Sequence, residues 1–141
     1  MDQNPSWRRI LRSIGAVFGG IVAIFALSLG TDAVLQALGI FPAWGQPMSD
    51  ALFLLATVYR TAYGVAGSYL TARLAPTRPM QHALVLGAVG LALSTAGALA
   101  TWNRGPEFGP HWYPLALIAT AMPCAWAGGW LRDRQLRGRG V

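Results

Sequence analysis

Four apolar runs of about 20 residues, separated by short connections rich in Gly, Pro and Arg, limit this chain to very few folds. A helix rises about 1.5 Å per residue, so about 20 residues match a hydrocarbon core of about 30 Å. The runs predict spans at about 13–38, 51–72, 83–102 and 112–131. The expected fold class is all-α: one integral membrane domain over residues 1–141, a four-helix transmembrane bundle. At 54% hydrophobic and 11% charged, the chain has too little charge to coat a soluble domain of its length.

All 11 basic residues are arginines, and their placement sets the topology. Arg8, Arg9, Arg12, Arg73, Arg78, Arg132, Arg134, Arg137 and Arg139 fall on one side of the predicted spans, and only Arg104 falls in a loop on the other. The positive-inside rule then puts both termini in the cytoplasm, making a multi-pass protein of a cell inner membrane. The Ala and Gly load without lysine fits a GC-rich bacterial source. Topology accounts for the +6 charge, so nucleic acid is not an expected partner. The basic stretch before residue 13 resembles a signal-peptide start, but the apolar run is too long for a signal core and further spans follow. It reads as a retained first span.

Arg60 stands near the middle of the second run. An unpaired arginine at that depth costs several kcal/mol even on lenient insertion scales, about 2.5–3.5, so it requires a partner. Thr57, Arg60, Thr61, Gly64, Gly67, Ser68 and Thr71 share a face at spacings of three and four, with Tyr59 and Tyr63 flanking it. If the first helix runs to Leu38, Asp32 lies about 9 Å and Arg60 about 16 Å below the connecting turn, within reach of a long arginine side chain. Two readings follow: an Asp32–Arg60 clamp between the first two helices, or a binding path for an anionic or polar solute with Thr57, Thr61, Tyr59 and Tyr63 as hydrogen-bond donors.

Small residues at helical spacing predict close helix contacts, because lipid supplies little hydrophobic drive for association. Gly15 and Gly19 form one such pair, and Gly64 and Ser68 another. Gly87, Gly90, Ser94 and Gly97 extend a seam that begins at Ala83 and ends at Thr101. These seams predict either internal packing or contact with a second copy or another membrane protein. Pro123 should bend the fourth span. Arg73, Arg78 and His82 form a basic connection suited to anionic phospholipid head groups.

Glu107 and His111 are too few for a metal site, and neither cofactor motif nor catalytic constellation is present in the sequence. An enzyme is therefore not the expected reading. The residues His82-Ala-Leu-Val-Leu-Gly87 and Gly109-Pro-His-Trp-Tyr-Pro114 lie in a stretch, Tyr59 to Leu131, that resembles small four-span bacterial inner-membrane proteins. That resemblance implies a fold and no activity. The expected function is a non-enzymatic scaffold or accessory subunit working through helix contacts; the alternative is a small transporter or channel using the polar face around Arg60.

Overall fold

The computed structural model describes residues 5–140. It is all-helical among these residues: α1 (Pro5–Ala37), α2 (Asp50–Leu74), α3 (Pro79–Thr101), a short 3₁₀ turn at Pro106–Phe108, and α4 (Trp112–Arg139). Three segments are long and apolar enough to cross a membrane: Ser6–Ala37, Pro79–Thr101, and Pro106–Arg139 with α4. The second expected span forms a helix, α2, but is not one of the three. Arg60 and the hydroxyl-bearing residues along its middle lower its hydropathy.

Sequence chemistry explains several of the helix ends. Pro79 opens α3 at a position where a missing N–H costs nothing. After Ala37 the chain turns through Gly39, which has φ +73°. Polar flanks do not end the first and last helices where the apolar runs end. The α1 helix includes Arg8, Arg9 and Arg12, and α4 continues through Pro123 to Arg139. At 1.5 Å per residue these helices are about 50 Å and 42 Å long, well beyond a hydrocarbon core.

The α2 helix is central. It packs on both α1 and α4, while α3 packs mainly on α4 and touches α1 less. Many large apolar side chains point outward, including Ile14, Phe18, Phe25, Leu93 and Leu99. Such a surface suits lipid rather than water.

Close approach occurs at only part of the predicted seams. A Cβ at Gly67 would collide with Ile24, and one at Gly20 with Thr71 and the Gly67 carbonyl oxygen, so these two glycines bring α1 and α2 together. Gly64 lies against Cys124, and a Cβ at Gly128 would come within 2.6 Å of the Ser68 side chain, joining α2 to α4. A Cβ at Gly87 would strike Ala125 of α4. Gly15 departs from the expectation, with nothing within 4 Å of its Cβ position, while Gly19 only reaches Leu74 at 3.4 Å. The α1 contact uses Ala16 and Gly20 instead, about 100° further round the helix. Gly90 and Gly97 also have open space where a Cβ would be, and both line a groove bounded by residues of all four helices.

Candidate functional site

The α1–α2 interface holds the charged pair. Arg60 Nη2 donates to Asp32 Oδ2 at 2.6 Å, and the Tyr59 hydroxyl donates to Asp32 Oδ1. Both carboxylate oxygens are therefore engaged. The Asp32 side chain is 6% exposed and that of Arg60 31%, so the carboxylate is the enclosed partner. One turn away, Thr31 Oγ1 donates to the Leu27 carbonyl at 2.7 Å and lies 2.7 Å from the Tyr63 hydroxyl. A threonine has one hydroxyl proton, so Tyr63 is the donor in that contact. At the other end of the interface, fully buried Thr71 donates to the Ala16 carbonyl at 3.0 Å. Polar contacts thus tie α1 to α2 at three levels.

The predicted polar face divides between two neighbours. Gly67 and Thr71 meet α1, whereas Gly64 and Ser68 meet α4. Thr57 and Thr61 do not offer protons to a solute here. Thr57 donates to Phe53 O at 2.8 Å, Thr61 to Thr57 O at 2.7 Å, and Ser68 to Gly64 O at 2.7 Å. Such back-bonding satisfies a hydroxyl within its own helix and leaves only its lone pairs for others. Tyr59 and Tyr63 spend theirs on α1.

Two cavities meet at Arg60. One, of about 210 Å³, is a vestibule between the loops 38–49 and 102–111, lined by Asp32, Gln36, Trp44, Glu107 and Tyr113 among others. The second, of about 430 Å³, is a mainly apolar groove among the four helices, lined by Phe25, Thr61, Leu93, Ser94, Gly97 and Leu117 among others. Arg60, Phe108 and Tyr113 belong to both walls. The Tyr113 ring lies 6.0 Å from the Arg60 guanidinium carbon and 4.9 Å from the Phe53 ring.

No protein family, curated protein or solved structure matches this chain. Its geometry therefore has to supply the functional argument.

At the Arg-rich end, Arg73 and Arg78 are exposed, and Arg78 takes a left-handed conformation, φ 47°, immediately before Pro79. His82 Nδ1 lies 3.1 Å from the Arg78 carbonyl, which accepts its hydrogen bond. The same histidine edges an apolar groove of about 470 Å³ against Ile14, Val17 and Ile21 of α1. At the opposite end His111 stacks on Trp102 with ring centroids 4.1 Å apart, and its Nε2 reaches the Trp102 carbonyl at 3.0 Å. Among the described residues no group of three His, Cys, Asp or Glu side chains could hold a metal ion.

Sequence reasoning missed Tyr113, Phe108 and Gln36 as neighbours of Arg60. Tyr113 is the second residue of α4. Its place beside Arg60 depends on how α4 crosses α2, and helical spacing along one segment carries no signal of that.

Proposed function

We propose that this chain is a four-span protein of a bacterial inner membrane, both termini cytoplasmic, that acts through helix–helix contacts as a scaffold or accessory subunit. One observation carries the reading. The polar groups of α2 bond to α1, to their own helix or, at Tyr69, to Gln135 of α4, and Arg60 is paired with Asp32. What remains open to the surroundings is an apolar groove whose wall includes Gly90, Ser94 and Gly97. Small residues with free space above them suit the close approach of another membrane helix. The nine-to-one arginine bias supports the orientation, since Arg8, Arg9, Arg12 and Arg132–Arg139 extend from the same end of the bundle. The pairing of Arg60 lowers the cost of placing α2 across the bilayer as the fourth span. Exposed Arg73 and Arg78 suit anionic lipid phosphates at that face.

Photo-crosslinking in native membranes tests the scaffold role. A cross-linker placed by Gly97→Cys in a Cys124→Ala background should give a discrete protein adduct, either a second copy or a partner. Adducts with lipid alone from every groove position would overturn the proposal.

A second reading is favoured by Arg60 lining both cavities: a small transporter whose polar step lies between vestibule and groove. Flux of a polar solute in proteoliposomes, abolished by Arg60→Ala with the fold retained, would select it. Absence of flux under imposed gradients would reject it.

A further inference from the structure

The vestibule between the loops 38–49 and 102–111 differs in chemistry from the Asp32–Arg60 clamp at its floor. Its ionisable lining consists of two carboxylates, Asp32 and Glu107, against one guanidinium, Arg60. Asp32 and Arg60 neutralise each other at 2.6 Å. Glu107 forms no ion pair among the described residues, yet it is only partly exposed. The pocket therefore carries one uncompensated negative charge.

Glu107 reaches the cavity wall from a tight turn. Gly105 and Gly109 flank the turn with φ of +126° and +92°, which side-chain-bearing residues rarely adopt. A Cβ at Gly105 would lie 2.6 Å from Glu107 Oε2, so the glutamate folds back over this glycine. A Cβ at Gly109 would lie 2.7 Å from the Phe53 ring, so the loop is pressed onto α2. The wall also carries five aromatic side chains, Phe41, Trp44, Phe53, Phe108 and Tyr113, beside Gln36 and Gln46.

We infer that the vestibule is a binding site for a small organic ammonium ion. Aromatic faces attract cations through their quadrupole, and a single carboxylate in a partly desolvated cavity supplies the counter-charge. A hard metal ion is disfavoured by the donor set, because both Asp32 oxygens are already engaged and Glu107 alone cannot supply the six or more oxygens such ions take. An anion would face the uncompensated carboxylate. The cavity, about 210 Å³, admits a tetramethylammonium-sized ligand rather than a drug-sized one. This inference does not depend on the scaffold or transporter reading, since it concerns only the loop end of the bundle.

The test is equilibrium binding of tetramethylammonium to the full chain in nanodiscs, followed by calorimetry, with tert-butanol as the neutral isostere and acetate as the anion. Saturable tetramethylammonium binding is expected, weakened about tenfold by Glu107→Gln, the order expected for loss of one partly buried counter-charge. Trp44→Ala should weaken it about threefold. Arg104→Gln, in the same loop, should not weaken it. The inference fails if tetramethylammonium does not bind, if Glu107→Gln binds as well as the natural chain, or if tert-butanol or acetate binds equally tightly. Both Glu107 and Trp44 lie outside the four α-helices, so the variants should retain the bundle, and an unchanged thermal transition verifies this.

Discussion

Removing Asp32 alone should harm the bundle more than removing both Asp32 and Arg60, and removing Arg60 alone should harm it about as much as removing both. In Asp32→Leu the guanidinium loses its carboxylate and the Tyr59 hydroxyl loses its acceptor. Stripping one partner from a buried ion pair costs about 3–5 kcal/mol, reduced here because Arg60 is 31% exposed. With about 1 kcal/mol for the stranded hydroxyl, the expected loss is about 3 kcal/mol. In Arg60→Leu the enclosed carboxylate keeps its bond from Tyr59, so the loss should be about 2 kcal/mol. The double variant strands only Tyr59 and alters packing, also about 2 kcal/mol, which leaves a coupling of about 3 kcal/mol between the two sites. Cys124 is the sole cysteine and is buried, so a fluorogenic maleimide reports unfolding as this thiol becomes accessible. Titration with a denaturing detergent then gives free energies for the four chains. Additive losses, with coupling below about 0.5 kcal/mol, would show that the pair does not hold α1 to α2.

The glycine contacts make a sharper contrast. Gly67→Leu should separate α1 from α2 and lower the thermal transition strongly, whereas Gly15→Leu should leave it nearly unchanged, since nothing lies within 4 Å of that Cβ position. Equal effects would contradict the helix faces assigned to α1. In the folded protein Cys124 should react with a bulky maleimide only at the rate of unfolding, because it packs on Gly64 with its Sγ 3.5 Å from the Thr61 carbonyl; rapid labelling under native conditions would refute that burial. Replacing Arg73 and Arg78 with Gln should reduce co-purified anionic phospholipid, measured by mass spectrometry, and unchanged lipid would rule out head-group recognition by this loop.

Some of this arrangement was legible from residues alone, for energetic reasons. A charge within an apolar helix demands a partner, and Asp32 was the acidic residue whose depth allowed it, so cost and geometry named the pair whose side chains meet at 2.6 Å. Helical spacing also located α2's polar face, but spacing gives a direction on one helix and not the number of helices that meet it. Because α2 is central, its one face is shared, with Gly67 and Thr71 turned to α1 and Gly64 and Ser68 to α4. The Gly15–Gly19 pair does not make the α1–α2 contact for a related reason: a one-residue change of register rotates the contact by about 100°, and Ala16 with Gly20 satisfies the same small-residue pattern.

The vestibule lay further out of reach because no periodic element builds it. Glu107 and Trp44 are about 60 residues apart in sequence and come together only through two turns. Gly105 and Gly109 do carry a trace of it, since two positive-φ glycines around Pro106-Glu107-Phe108 mark a tight turn with a carboxylate at its tip. A tight turn in a connection between helices has no evident need for an acidic side chain directed back over it. That glutamate remains without a counter-charge in a cavity lined by five aromatic side chains, whereas every other charge lining the two cavities at Arg60 is paired. In a chain that pairs Arg60 so closely with Asp32, an uncompensated carboxylate in a cavity with aromatic walls is the feature best matched to a ligand from outside the bundle.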